Sequence, residues 1–311
     1  MFMSASLEQA EWIWRDGEFV KWEDATIHVL SLAVQFGSSV FEGIRCYKTD
    51  NGPAIFRLDT HIKRLRKSCR TYRMELPYSD EELIAASIQA VAKNGLDECY
   101  IRPMVLRGYG AAGLNPEGSP IETLVPCWPW GTYLGPEALE RGVDVCVSSW
   151  QRMHPNTYPA AAKAAGHYVN AQLIKMEAIS NGYVEAVVLG PGGVVSEGSG
   201  QNLFAVVDGT LITPSVDGTS LQGITAESVM TIAADLGIPL RREVIPRESL
   251  YGADELFFTG TASEVTPIRS VDKIVIGEGK MGDVTRKIQE RFLGLVRGEL
   301  EDSHGWLTYV Q

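Results

Sequence analysis

The stretch NTYPAAAKAAGHYVNAQ, residues 156–172, sets one lysine, Lys163, in a run of alanines and a glycine with no acidic side chain beside it. A lysine on a solvated face normally sits among other charges. If this segment is internal, desolvation disfavours the ammonium, and an amine so treated becomes a nucleophile able to form a Schiff base. The small neighbours would leave room for a flat ligand. The other reading is a lysine on a small-residue turn ahead of a helix that starts near His167. Both stay open on this window alone.

Working outward, VDVCVSS before the lysine reads as a strand, and a helix follows it to Gly182. YVEAVVLG, the strand and turn VVSEGSGQN, and LFAVVDGTLIT with an Asp208-Gly209 hairpin turn come next. A helix is expected from Thr225 to Leu236, ended by Gly237, then strands in ELFFTGT and DKIVIG and a last helix over 283–298. Toward the N-terminus, Asp16-Gly17 is a turn between WIWR and EFVKW, and residues 12–30 read as paired strands. Two further strand-like runs flank Asp50-Asn51-Gly52-Pro53. Asp59 reads as the N-cap of a helix carrying Ile62, Leu65, Cys69 and Tyr72 at helical spacing. Ser79-Asp80-Glu81-Glu82 is a capping box for a helix that stops at Gly95. CYIRPMVLRGY and ETLVPCWPW look like more strands. The chain is therefore expected to be α+β, mixed α-β, in two domains: a small N-terminal one over 1–130, a linker over 131–142 that is rich in Gly and Pro at its start, and a large C-terminal one over 143–311.

The 311 residues are 45% hydrophobic, enough for a sizeable core. A net charge of −11 argues against nucleic acid or an anionic membrane as the main partner. Five cysteines (Cys46, Cys69, Cys99, Cys127, Cys146) are odd in number and scattered, so neither a disulfide framework nor a zinc site is expected, and a reducing cytoplasm is the simplest compartment. MFMSASLEQAEWIW has neither a basic nor an apolar leader region, and no run approaches the ~20 apolar residues of a membrane helix.

Several motifs each allow two readings. Gly108-Tyr109-Gly110-Ala111-Ala112-Gly113 matches G-x-G-x-x-G, yet Leu114-Asn115-Pro116 continues as loop where a dinucleotide site needs a helix. Ser196-Glu197-Gly198-Ser199-Gly200-Gln201-Asn202 puts a carboxylate in a glycine-rich bend, as a ligand contact or as a solvated turn. Gly223-Ile224-Thr225 opens a helix whose first amides could receive a phosphate, or Thr225 simply caps it. Phe258-Thr259-Gly260-Thr261-Ala262-Ser263 is a hydroxyl-rich turn. Arg64 lies on a basic helix face. Tyr100 and Arg102 share one side of a strand by period two, aimed together at an anion or merely half exposed.

Taken together, SVFEGIRCY, HIKRL, YIRP, PWGTYLG, NTYPAAAKA, SEGSGQN, GIT and GTASEVTP resemble, in order, the branched-chain amino acid aminotransferases, pyridoxal-phosphate enzymes of fold type IV. The resemblance runs from about Trp12 to the end. It implies a two-domain, D-amino acid aminotransferase-like fold and pyridoxal 5'-phosphate as cofactor. It implies that Lys163 is the Schiff-base lysine and proton shuttle, that Glu197 keeps the ring nitrogen protonated, and that Tyr168 faces the ring 3-oxygen. Leu221 belongs to the same cofactor set, and Arg64, Ile224, Thr225 and Thr261 would hold the phosphate. Tyr100 and the Thr261-Ala262 backbone would receive the α-carboxylate; Phe41, Gly43 and Tyr133 would shape the side-chain pocket, and Arg102 would meet a distal carboxylate. Phe36 and Leu114 would come from a neighbouring subunit, which implies at least a homodimer. Many relatives carry tyrosine where Phe36 stands, so one donor to glutamate is missing here.

The expected reaction is transfer of an amino group between branched-chain L-amino acids and 2-oxoglutarate. The alternatives are a D-amino acid or (R)-amine transaminase or an aminodeoxychorismate lyase of the same fold, and, from another class, a catalytically silent binding protein. YIRP favours the branched-chain branch.

Overall fold

The structure, a computed structural model, describes residues 7–110, 113–131, 135–215 and 218–310. Two compact units emerge, and they are not two continuous segments. The first takes the described residues up to Gly131, the short piece Ala162–Gly166 and the end of the chain from Val296; the second takes the rest. Lys163, expected in the C-terminal half, thus clusters with the first unit. Backbone pairing is the reason: Val40 bridges Ala164, and the Phe41 amide donates to the Lys163 carbonyl at 3.0 Å. The chain end joins the first unit in the same way, because Leu307–Tyr309 pairs with Gly52–Phe56 and Trp306 packs edge-on against Phe56.

Among the described residues the first unit holds two five-stranded antiparallel sheets. One runs Glu18–Lys21, Trp12–Arg15, Ile121–Val125, Met104–Arg107, Ser39–Phe41; the other runs Leu307–Tyr309, Gly52–Phe56, Ile44–Thr49, Cys99–Ile101, Cys127–Pro129. The chain passes from one sheet to the other at Glu42-Gly43, at Arg102-Pro103 and at Pro126. Proline has no N–H to give a ladder, so CYIRPMVLRGY and ETLVPCWPW each split into two strands. The crossings are tied together, since the Glu42 amide donates to the Pro103 carbonyl and the Arg102 amide to the Pro126 carbonyl. Glu42, Gly43 and Arg102 consequently lie on one seam.

The helix Leu58–Thr71 buries Leu58, Ile62, Leu65 and Cys69 against this framework, the stripe that helical spacing predicts. Asp59 is not its N-cap. Arg57 holds that place in a left-handed conformation, while Asp59 sits in the first turn and pairs with Lys63 at 3.1 Å. The capping box at Ser79 and Glu82 is present, and its helix runs Asp80–Lys93. Asp16-Gly17 is the turn of the first hairpin, but beyond Lys21 the expected strand gives way to a 3-10 turn, Trp22–Asp24.

The second unit is a mixed sheet in the order Val195–Gly198, Glu185–Leu189, Val143–Gln151, Glu264–Val271, Glu255–Gly260, Asn202–Val207, Thr210–Pro214, Leu240–Glu243. Val143–Gln151 lies parallel to both neighbours, and the helix Tyr168–Ser180 is the connection to Glu185–Leu189. The Asp208-Gly209 hairpin forms as read. Within 131–142, Pro136–Arg141 is a short helix that packs on Glu264–Val271 rather than plain linker. Among the described residues no helix is long and apolar enough to cross a membrane.

Candidate active site

In the first unit the lysine stretch is pinned by its backbone. Ser68 Oγ accepts from the Lys163 amide at 3.0 Å, and Ala162 and Ala164 on either side are buried, so larger side chains there would push the strand apart. The Lys163 amine lies 5.1 Å from the centre of the Phe41 ring. The guanidinium of Arg102 stands 5.0 Å from that same ring and 5.1 Å from the ring of Tyr100, with Trp128 at 5.5 Å. Tyr100 and Arg102 do converge, although the strand Cys99–Ile101 ends before Arg102 and the sharing comes from the seam rather than from strand alternation. Arg102 Nε is buried without a hydrogen-bond partner among the described residues. Gly43 is required here, since a Cβ would fall 1.8 Å from the Tyr100 hydroxyl oxygen.

Arg64 is placed by a residue that the sequence reading did not single out. Glu42, fully buried, takes the fork of Arg64 in both its oxygens, Nε at 2.7 Å and Nη2 at 2.8 Å. His61 Nδ1 lies 2.7 Å from Glu42 Oε2. Burial alone would raise the Glu42 pKa, but the charge and hydrogen bonds of Arg64, helped by His61, hold it far below the usual carboxylate range. Burial in turn pushes His61 below the ordinary histidine value, so the neutral ring donates Nδ1–H to the carboxylate. The available signal was a lone carboxylate inside the apolar run SVFEGI.

In the second unit Glu197, in the buried strand Val195–Gly198, lies 2.9 Å from Arg152 Nε through Oε1. Its Oε2 accepts from the Leu221 amide at 3.3 Å and from Asn202 Nδ2 at 3.5 Å. Asn202 Nδ2 also donates to the Leu221 carbonyl at 2.8 Å. Asn202 reaches across to Gly223, where a Cβ would meet its Oδ1 at 1.8 Å. Gly223 is the N-cap of the helix Ile224–Asp235, without a side-chain cap, so Thr225 is no cap; Ile224 and Thr225 are buried in its first turn. Thr261 and Ala262 form the tight turn between Glu255–Gly260 and Glu264–Val271. Beside that turn, Thr259 and Ser263 are buried, and their hydroxyl oxygens have no hydrogen-bond partner among the described residues. Thr259 faces Asn202 across the strand pair and so shares its side of the sheet. Tyr168 is the first residue of its helix and is half-buried.

Arg152 also escaped the sequence reading, since an isolated arginine in QRMHP carries no pattern to find, and Asn202 stands in that reading only as the end of the glycine-rich bend. Phe36 and Leu114 are exposed, at 52% and 88%. Tyr133, like Ala111 and Ala112 of the glycine-rich loop, lies outside the described residues; the loop that follows Gly113 forms no helix, which leaves no dinucleotide fingerprint.

Comparison with known proteins identifies the family. The sequence profile of the amino-transferase class IV family matches residues 39–271. The branched-chain-amino-acid aminotransferase of Salmonella typhimurium is 49% identical over 304 residues, 97% of this chain and 98% of that protein. That of Pseudomonas aeruginosa is 46% identical over 299 residues, 96% and 97% of the two chains. The crystal structure of the Escherichia coli branched-chain amino acid aminotransferase superposes with a TM-score of 0.96 at 48% identity, covering 97% of this chain and all of that one, 100%. The branched-chain amino acid aminotransferase from Thermobaculum terrenum, in its PLP-form, gives 0.91 at 32% identity, over 98% and 99% of the two chains. By profile, identity and fold, the chain belongs to the amino-transferase class IV family.

Proposed function

We propose that this protein transfers amino groups between branched-chain L-amino acids (leucine, isoleucine, valine) and 2-oxoglutarate, with pyridoxal 5'-phosphate as cofactor. The observation that carries the reading is the near full-length likeness, at 46% and 49% identity, to enzymes named for that substrate class.

The residues present fit such a cofactor. An uncapped, buried helix start at Ile224-Thr225 offers backbone N–H groups to a phosphate. Buried hydroxyls without hydrogen-bond partners among the described residues, at Thr259 and Ser263, are what a site built for a polar ligand leaves behind. When bound, pyridoxal phosphate supplies an electron sink that stabilises a carbanion at the substrate α-carbon. In this reading Lys163 would supply the amine that holds the cofactor and the group that carries the proton in the transfer. Glu197 would accept a hydrogen bond from the ring nitrogen, Tyr168 would serve the 3-oxygen, and Leu221 would belong to the cofactor-binding set. Arg64, the Ile224 and Thr225 amides and Thr261 hold the phosphate, with Glu42 fixing the direction of Arg64.

For the substrate, Tyr100 and the Thr261-Ala262 backbone would take the α-carboxylate, and Phe41 and Gly43 would shape the apolar pocket; Tyr133, outside the described residues, is the third residue expected there. Arg102, stacked on aromatic faces, tolerates an aliphatic chain and can pair with a distal carboxylate. Phe36 brings no hydroxyl to that carboxylate. The exposed Phe36 and Leu114 support a homodimer in which each subunit completes its neighbour's site. Five cysteines, all buried and free, support a cytoplasmic home.

The test is the visible absorbance of protein loaded with pyridoxal phosphate, read before and after L-leucine and again after 2-oxoglutarate. Bleaching by leucine and recovery with 2-oxoglutarate are expected. A spectrum that responds only to D-alanine or (R)-phenylethylamine would reject the substrate class.

A further inference from the structure

Arg152 has a geometry that its neighbours do not explain by packing alone. Its side chain is 10% exposed, and both of its terminal nitrogens donate into the same small region. Nη1 donates to Asn170 Oδ1 at 2.9 Å and Nη2 to the Gly198 and Ser199 carbonyls at 2.7 Å each, while Nε forms an ion pair with Glu197 Oε1 at 2.9 Å that lacks hydrogen-bond geometry. One guanidinium thus clamps the bend that follows Glu197 by hydrogen bonds and sets its positive charge against one oxygen of the carboxylate. The other oxygen, Oε2, receives the longer contacts from Leu221 and Asn202, at 3.3 and 3.5 Å.

We infer that Arg152 is a positioning residue that decides where a proton rests: it keeps Glu197 a carboxylate with Oε2 turned to the cofactor, so that the ring nitrogen, not Glu197, carries the proton. The inference rests on the reading of Glu197 as the partner of that nitrogen. The physical reason is the cost of a buried charge. A carboxylate removed from water without a cationic partner takes up a proton, and a neutral carboxyl would donate to the ring nitrogen instead of accepting from it. The ring would then stay neutral and withdraw electrons poorly. The titratable neighbour is His167, at the start of the helix that carries Asn170. Burial and the nearby charge of Arg152 push it to about 4, so it is neutral at pH 7 and does not compete.

The test is nitrogen NMR of the holoprotein loaded with pyridoxal phosphate labelled with ¹⁵N in the ring, at neutral pH. Wild type should show a protonated ring nitrogen. Glu197→Gln and Arg152→Gln should both move the resonance to the unprotonated position. Arg152→Lys keeps the cation but not the fork, so its ring nitrogen should stay protonated at neutral pH and lose the proton about one pH unit lower than in wild type. An Arg152→Gln resonance unchanged from wild type, while Glu197→Gln shifts, would reduce Arg152 to a packing residue and overturn the inference. A resonance that Glu197→Gln does not move would remove the reading of Glu197, and this inference with it. Should Arg152→Gln not fold, an unchanged titration in Arg152→Lys overturns the inference on its own.

Discussion

The two units each contain a buried arginine–carboxylate pair, and the pairs are built in opposite ways. In Glu42–Arg64 two guanidinium nitrogens, Nε and Nη2, go to one carboxylate that has no exposure, with His61 satisfying it further. In Glu197–Arg152 the fork goes mostly to backbone carbonyls and Asn170, and the carboxylate keeps one oxygen on longer contacts. The first arrangement uses the acid to aim the base; the second uses the base to aim the acid. A bidentate pair is the more rigid, and under the proposed function that rigidity would serve a phosphate anchor, while the longer contacts of Glu197 Oε2 would serve a partner that arrives with its own N–H.

The largest expected effect lies next to the first pair and bounds what either can do. Under the proposed function Lys163→Ala removes the nucleophile, so it should lower turnover on the order of ten-thousandfold or more and abolish the visible band of the loaded protein. Steady-state kinetics with L-leucine and an absorbance spectrum check it; a variant that retained both would show that neither pair serves a cofactor.

Glu42→Gln comes next and bears on stability. It leaves Arg64 buried against a neutral partner, and a guanidinium cannot shed its proton, so unfolding in urea should show a loss of about 3–5 kcal/mol. Arg152→Gln should cost less, about 1–3 kcal/mol, because the stranded Glu197 can take up a proton. Equal losses in the two variants would break the contrast between the pairs.

The smallest effect is in pH. Burial holds both His61 and His167 below the ordinary value of 6.5, His167 at about 4. With folded pKa values below the unfolded one, the unfolded chain binds protons first, so this stability is present above pH 6.5 and declines as pH falls toward 4. Glu42, with its pKa lowered from 4.5, contributes above that value and loses its contribution as pH falls further. Melting temperatures should therefore be flat above pH 6.5 and fall below it, and His167→Asn should soften the fall. No change of slope in that variant would mean that His167 titrates alike in both states.

Local chemistry made much of this legible. The capping box at Ser79, the hairpin turns at Asp16-Gly17 and Asp208-Gly209, and the stripe Ile62, Leu65, Cys69 depend on residues a few positions apart, and the structure has them. CYIRPMVLRGY and ETLVPCWPW each read as strand, whereas Pro103 and Pro126 split them and the two halves of each run enter different sheets. Lys163, Glu197 and the turn at Thr261 stood out because a charged or hydroxylic side chain among small or apolar neighbours needs a reason.

By itself the sequence determined which atoms are available: one amine among alanines, one carboxylate in a glycine-rich bend, an arginine and a tyrosine two residues apart. Only the tertiary structure decided their partners. Glu42 lies 22 positions from Arg64, and Arg152 lies 45 from Glu197, so no spacing rule connects them. An ion pair is selected by which groups burial strips of water together, and that is a property of packed sheets and helices, which a linear pattern does not contain.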